Sequence, residues 1–114
     1  MSEIVVVGSF TAKPGKEEEA LEAFRALVGP THAESGCVLY ALHNGADDPS
    51  RLAFVERWRS REELEAHLAS PHVQDILTRV DELFSGGGDI VVYNAVPEGE
   101  DNKGSFAAHA GSAG

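Results

Sequence analysis

Residues 54–72, FVERWRSREELEAHLASPH, contain the signals that decide the order of secondary structure in this chain. The side chains of a strand alternate between its two faces, so Glu56 and Trp58 are expected to share one face. Ser60 followed three residues later by Glu63 is typical of a capping box, in which each side chain bonds the other residue's backbone N–H. The segment therefore predicts a strand that runs directly into a helix.

A second helix start follows within the same segment. Ser70 is a favourable N-cap residue, and Pro71 suits the first helical position because its missing N–H would have no partner there. Apolar residues then recur at helical spacing over residues 73–84. The glycines at 86–88 should end that helix, and residues 89–96 are apolar enough for a final strand. The helical region is therefore predicted to be broken in two.

The N-terminal half of the chain contains a strand, a helix and a hairpin. Residues 4–10 form an apolar run that scarcely alternates, so this strand is predicted to be buried on both faces. Residues 16–34 show one helical stripe of apolar positions. Pro30 is expected to kink or end that helix, because it lacks an N–H and clashes with the preceding turn. Residues 37–44 and 51–59 are joined by a short turn and are predicted to form an antiparallel hairpin.

The predicted order of elements is β-α-β-β-α-β, which is typical of the ferredoxin-like α+β fold with a four-stranded antiparallel sheet and helices on one face. Residues 1–96 form this domain. Residues 97–114 are predicted to be a flexible tail because they are rich in Gly, Ala, Ser and acidic residues. The strands are apolar on both sides, so the sheet face without helices would expose a large apolar patch. We therefore expect a homodimer in which two sheets pack together.

The overall composition disfavours several classes of partner. The chain has 114 residues and a formal net charge of -10, and so acidic a surface repels the phosphates of nucleic acid. No apolar run approaches the roughly 20 residues that span a bilayer, and the first residues, MSEIVVV, lack the basic start of a signal peptide. The single cysteine, Cys37, cannot form an internal disulfide, and no Cys/His spacing typical of a metal site is present. These features predict a cytoplasmic protein with no membrane partner and no metal.

A few polar side chains are candidates for chemistry. Glu56 and Trp58 share a strand face, where a buried carboxyl and a buried indole each need a hydrogen-bond partner. The commoner role of such a pair is structural, with Trp58 in the core and Glu56 bonded to an arginine or a backbone donor. A histidine titrates near neutral pH, as a proton-transfer step requires, so His67 and His72 are candidates, although each could be a satisfied core or cap residue. Tyr40 could orient a phenolic or carbonyl ligand, or fill the core.

Four short motifs occur in one order along the chain. They are the KPG turn at residues 13–15, E-x-G-C-x-x-Y at residues 34–40, E-x-W at residues 56–58 and H-x-x-S-x-H at residues 67–72. With these motifs, residues 4–96 resemble the antibiotic biosynthesis monooxygenase family, whose members are small dimeric α+β barrels. The resemblance implies the same fold and a dimer.

The family resemblance also implies an activity. Family members include monooxygenases that oxidise quinols and polyphenols with molecular oxygen and use no flavin, metal or haem. For this chain it implies an enzyme without a cofactor, whose partners are a small aromatic substrate and oxygen. On this model Trp58 is a cavity wall and N–H donor, and His67 or His72 is a proton shuttle. The implied catalytic residues are Trp58, His67 and His72, and the implied substrate-binding residues are Tyr40, Glu56 and Phe54.

Other members of the same fold suggest alternatives. Haem-degrading relatives use an Asn on the first strand and a Trp and an axial His on the second helical region, but the corresponding residues here are Gly8, His67 and Leu77. Haem degradation is therefore not expected. A second alternative is an isomerase or lyase that acts on a small oxidised sugar derivative, because one class of relatives isomerises a phosphorylated sugar derivative. A third is a non-enzymatic ligand-binding or stress-response dimer. The arginines that could attract an anionic substrate are Arg57, Arg59 and Arg61.

Overall fold

The computed structural model describes residues 3–86 and 88–106, which form a four-stranded antiparallel sheet with helices packed against it. In chain order the elements are β1 (Ile4–Thr11), α1 (Glu17–His32), β2 (Cys37–Asn44), β3 (Arg51–Trp58), α2 (Arg61–Leu68), α3 (Pro71–Leu77), α4 (Val80–Leu83) and β4 (Asp89–Tyr93). The strand order is β2-β3-β1-β4, and every neighbouring pair is antiparallel. The predicted ferredoxin-like α+β fold is confirmed. None of the described helices is long and apolar enough to cross a membrane.

The core lies between the helices and one face of the sheet. Val6 on β1 and Trp58 on β3 have no exposed surface, and the ring of Phe24 on α1 packs 4.9 Å from that of Phe54 on β3. Leu64 brings α2 onto the same core. Burying a large apolar side chain contributes about 1.5–3 kcal/mol, so these contacts hold the helices firmly over the inner face of β3.

The hairpin register places two of the predicted site residues side by side. Tyr40 on β2 pairs with Glu56 on β3, and Cys37 pairs with Trp58. The register shifts between Cys37 and Leu39, which marks a bulge near the start of β2. Directly opposed residues of an antiparallel pair point to the same face, so Tyr40 and Glu56 both face the helices.

In one chain β1 is fully buried on one face only, so its predicted burial on both faces would need a second copy. Ile4 and Val6 are buried, whereas Val5 and Val7 between and beyond them are only partly buried. All four helices contribute residues to the core, which lies against the sheet face that carries Ile4 and Val6. Within the described part of one chain, the opposite face of the sheet is therefore left partly open, as is common for antiparallel sheets.

Pro30 does not end α1, which continues to His32. The residue lies in the last turn of the helix, so its missing N–H removes only one late hydrogen bond. The N–H of Ala33 still bonds the carbonyl of Gly29 at 3.2 Å and holds that turn closed. The helix extends two residues past Pro30, so of the two predicted effects, a kink or an end, the end is wrong.

The second helical region has three pieces, rather than the two predicted. Ser70 starts α3 as expected, and its Oγ accepts the N–H of Val73 at 3.4 Å. A further break follows α3, where the hydroxyl of Thr78 donates to the carbonyl of Asp75 at 2.7 Å. Such local side-chain bonds compete with the helical pattern, which explains why α4 is a separate turn.

Only half of the predicted capping box at Ser60 is formed. The Oγ of Ser60 accepts the N–H of Glu63 at 3.2 Å, but among the described contacts the Glu63 carboxylate does not return to the Ser60 N–H. The Glu63 side chain instead packs over Gly36, where an added Cβ would lie 2.3 Å from the Cβ of Glu63. Gly36 thus lets the turn between α1 and β2 lie directly against α2, and this turn carries Glu34.

Arg57 is buried, so it does not join Arg59 and Arg61 in an exposed basic spot. Its side chain lies on the open face of β3, where it forms an ion pair with Glu3 and donates to the carbonyl of Phe106 at 3.3 Å. A buried guanidinium needs such partners because its charge has left water. The basic spot predicted from the sequence is therefore reduced to two exposed arginines.

The C-terminal segment differs from the predicted boundaries. The last strand ends at Tyr93, three residues before the predicted end. Residues 97–106 return to the sheet, since the carbonyl of Phe106 bonds Arg57. Residues 107–114 lie outside the described ranges, so a flexible tail remains a prediction for them.

Candidate functional site

A cavity of about 350 Å³ lies between the inner face of the sheet and the helices. Its volume falls within the lower part of the range for small-molecule binding sites. Most of its wall is apolar, and four phenylalanines contribute to it: Phe10, Phe24, Phe54 and Phe84. The polar side chains in its wall are Tyr40, Glu56, His67 and Gln74. Such a wall suits an aromatic ligand that carries few polar groups.

Glu56 is a buried carboxyl in this apolar cavity, with 7% of its surface exposed. Its Oε1 accepts a hydrogen bond from the indole N–H of Trp58 at 2.8 Å. Loss of hydration raises the pKa of Glu56 to about 7; the Trp58 bond opposes this rise, and the negative charge of Glu34 adds to it. A carboxyl that titrates near neutral pH in a cavity can accept and return a proton, which marks it as a candidate functional group.

Trp58 lies behind the cavity, not in its wall. The indole is fully buried, and its ring centroid is 4.6 Å from that of His67. Its N–H is used by Glu56. The predicted role of Trp58 as a cavity wall is therefore corrected: the side chain reaches the cavity only through the carboxyl that it holds.

His67 lies in the cavity wall and is almost fully buried. Its Nδ1 lies 3.0 Å from the Oε2 of Glu34. Burial lowers the pKa of His67, and the Glu34 carboxylate opposes that effect. A neutral imidazole that faces a carboxylate carries its proton on Nδ1, and this N–H donates a hydrogen bond to Glu34.

His72 is close to His67 but does not belong to the described cavity wall. Its Nε2 lies 2.6 Å from the same Oε2 of Glu34, and the two imidazole centroids are 6.0 Å apart. The three side chains come from the turn after α1, from α2 and from α3. The sequence analysis did not name Glu34 as a site residue, although Glu34 begins the motif at residues 34–40. The available signal was an acidic residue just before a strand.

Tyr40 and Phe54, both predicted to bind substrate, lie in the cavity wall. Their rings stack with centroids 4.5 Å apart. Burial, with the nearby Glu56 charge, raises the pKa of Tyr40 far above its usual range, so the phenol stays neutral. The structure thus brings four of the predicted residues to one cavity, and it places Trp58 and His72 one layer behind.

The model of the family described as antibiotic biosynthesis monooxygenase matches residues 3–79 of this chain. The matched range includes all four cavity residues named as candidates, the indole behind them and the Glu34 cluster. The two outer segments of the chain, from residue 80 onward and before residue 3, lie outside the match.

Two individual relatives are similar to this chain over most of its length. The Synechocystis protein sll1783 is 28% identical over 90 residues, which are 79% of this chain and 61% of that protein, so the chain spans less than two thirds of its length. Rv0793 of Mycobacterium tuberculosis, whose name gives it as a provisional monooxygenase, is 34% identical over 84 residues, or 74% of this chain and 82% of that protein.

Solved structures confirm the fold. The structure of Rv0793 superposes with a TM-score of 0.80 at 31% identity, over 87% of this chain and 100% of that one. PA3566 from Pseudomonas aeruginosa superposes with a TM-score of 0.80 at 28% identity, over 84% and 96% of the two chains.

Proposed function

Because this chain belongs to the antibiotic biosynthesis monooxygenase family, we propose that it is a cofactor-independent monooxygenase that oxidises a quinol-like or polyphenolic aromatic with molecular oxygen. One observation carries this proposal. Glu56 is a buried carboxyl, with a pKa of about 7, in the wall of an otherwise largely apolar cavity. Proton removal from a phenol is the step that such a group performs.

The aromatic ring of the substrate binds among the phenylalanines, and its phenolic O–H donates to Glu56. We place the proton transfer on Glu56 rather than on His67 or His72. His72 lies outside the described cavity wall, and burial lowers the pKa of His67, which makes its ring a weaker base. The low dielectric of the cavity strengthens the interaction between the carboxylate and the phenolic proton.

The reaction balances without a further reductant. The phenolate gives an electron to oxygen, and the radical pair joins to form a peroxide at a ring carbon ortho or para to the hydroxyl that carries a hydrogen atom. In a quinol such as reduced menadione, where the para carbon carries the second hydroxyl, this is the ortho carbon. Loss of the C–H proton at that carbon then breaks the O–O bond, so that one oxygen atom stays as the new carbonyl and the other leaves as water. A phenol and one oxygen molecule thus become a quinone and one water, and Glu56 carries the protons between these steps.

The cavity argues against an isomerase or lyase, and its buried carboxyl argues against a purely structural role for Glu56. A phosphorylated sugar needs many polar partners and a cation, but the wall is mostly apolar and Arg57 is buried on the opposite face of the sheet. A purely structural role explains Glu56 poorly, since a buried carboxyl with a raised pKa costs stability at neutral pH. Both alternatives remain outcomes of the test.

The proposal also includes a homodimer formed through the open face of the sheet. On that face Val7 and Val55 form a cross-strand pair and are only partly buried in one chain. Packing this apolar face against a second copy removes it from water, which is the driving force for association.

Oxygen uptake with reduced menadione and with polyphenols tests the activity. Wild-type protein should consume oxygen above the buffer rate, and Glu56→Gln should lower kcat by about 100-fold or more, the usual contribution of a general base. Glu65→Gln is the matched control. It removes the same charge from an exposed residue of α2 that does not line the cavity.

Equal rates for Glu56→Gln and wild type would contradict the assignment of the base. Turnover of an oxidised sugar under strict anaerobiosis would replace the oxygenase with an isomerase. Saturable binding of an aromatic without any turnover would replace it with a ligand-binding protein.

A further inference from the structure

Glu34, His67 and His72 form a compact cluster of ligand-type atoms. The Oε2 of Glu34 lies 3.0 Å from the Nδ1 of His67 and 2.6 Å from the Nε2 of His72, and all three donor atoms lie within 4.8 Å of one another. Among the described residues, these three side chains lie close enough together to hold a metal ion.

The break between α2 and α3 is what brings the two histidines together. In a continuous helix, residues five apart lie about 140° apart around the axis and face different directions. Here Ser70 interrupts the helix, and its Oγ donates to the carbonyl of His67 at 2.6 Å while Pro71 starts the next helix. The two imidazoles therefore reach the same carboxylate oxygen.

The positions of the three side chains are held by the surrounding structure. His67 packs against the buried indole of Trp58 and is nearly inaccessible, with 4% of its side chain exposed. Glu34 sits on a turn that Gly36 lets approach α2. The side chains of Glu34 and His72 are about one-fifth exposed, 20% and 21%, so one side of the cluster opens to solvent.

We propose that Glu34, His67 and His72 bind one divalent first-row transition-metal ion. Two imidazole nitrogens and a carboxylate are a donor set that suits zinc, iron, cobalt and nickel. Donors that share one ion at about 2.1 Å are about 3.0–3.4 Å apart, close to the spacing of the Glu34 oxygen and the His67 nitrogen. Water from the exposed side completes the coordination.

This inference goes beyond the proposed function and does not depend on it. The proposed oxygen chemistry uses Glu56 and the substrate's own electrons, whereas the ion would bind behind the wall and fix the ring of His67. Binding of the ion would also stabilise the fold, because a ligand that binds the folded chain alone shifts the folding equilibrium.

Direct metal binding tests the inference without substrate. Untagged protein treated with EDTA and then dialysed is titrated with CoCl₂ by calorimetry, with the visible absorption of bound cobalt as a second readout. We expect one saturable site per chain. His72→Ala should weaken binding by about tenfold or more, since second-shell losses alone reach about 10-fold to 100-fold. His43→Ala is the matched control, because this exposed histidine lies at the end of β2.

Glu34→Gln is the second variant, because an amide keeps an oxygen acceptor for the imidazoles while the charge is lost, and it should also weaken binding. Absence of saturable cobalt binding in wild type, or an equal loss in His43→Ala, would overturn the inference and leave a hydrogen-bonded network only. Oxygen uptake by the EDTA-treated protein distinguishes the two proposals, since activity that persists without metal upholds the proposed function whatever the titration shows.

Discussion

At the scale of single residues, Trp58 and Glu56 show how one hydrogen bond decides the chemistry of a buried group. Burial alone disfavours the carboxylate, and the indole N–H partly restores it. The balance leaves the pKa of Glu56 at about 7, where both protonation states are accessible. Removing the donor should therefore change the pH at which the site works more than it changes the shape of the cavity.

Trp58→Phe should move the acid limb of the kcat/KM profile to higher pH. A hydrogen bond to a charged group contributes about 1.5–3 kcal/mol, and each pKa unit corresponds to about 1.4 kcal/mol, so the expected shift is about 1–2 units. The sign follows from the loss of a donor that favours the ionised carboxyl, so Glu56 stays protonated and inactive to a higher pH. Rates measured between pH 5 and 9 test this shift.

Tyr40→Phe is the control for that experiment, since it removes a neutral hydroxyl from the same wall and leaves the bond between Trp58 and Glu56 intact. A carbon-13 titration of the glutamate carboxyl gives the same pKa without relying on turnover. An unchanged pKa in Trp58→Phe would mean that the indole does not control Glu56.

At the scale of secondary structure, the junction between α2 and α3 positions the polar cluster. Ser60 and Ser70 each accept the N–H of the residue three positions later, so they are equivalent as helix caps. Only Ser70 also donates to the carbonyl of His67. The two serines should therefore contribute similarly to stability and differently to the geometry of the cluster.

Ser70→Ala and Ser60→Ala should each destabilise the protein by about 1 kcal/mol, the typical cost of losing an N-cap. For a chain of this size that corresponds to a fall in Tm of roughly 4 °C, measurable by calorimetry. Only Ser70→Ala should also shift the imidazole resonances of His67 and His72 in an NMR spectrum. Equal shifts in both variants would show that the junction does not position the histidines.

At the scale of the whole molecule, the sheet is covered by helices on one face and only partly covered on the other. Burial of one face against the helices stabilises the fold of one chain. The apolar residues on the other face are only partly buried, so we expect a second copy to cover them. Val7 and Val55 are opposed on the open face, away from the cavity. A charge placed there should therefore affect assembly before it affects the site.

Wild-type protein should elute as a dimer at micromolar concentration, with twice the chain mass by light scattering. Val55→Lys should shift the protein toward monomer, because a charged side chain on a packed apolar face loses its hydration without a partner. Val96→Lys is the control, since that side chain is 75% exposed and lies beyond the end of the sheet. A monomeric wild type would contradict the dimer.

The local pattern of the sequence was enough to predict the order and type of the elements. Strand alternation placed Phe54, Glu56 and Trp58 on one face, and the serine caps marked the starts of α2 and α3. These features depend on residues close together in the chain, so they can be read without tertiary contacts. Pro30 did not end α1, because a proline in a last turn costs little, which sequence propensity does not reveal.

What the sequence by itself determined is the fold, the family resemblance and a short list of polar residues. Only the tertiary structure decided their roles. It placed Glu56 in the cavity with the Trp58 N–H on its carboxylate, moved Trp58 behind the wall, and joined Glu34 to two histidines more than thirty positions away. The physical reason is that a pKa and a ligand geometry depend on burial and on distances between atoms from different elements, and packing alone fixes those quantities.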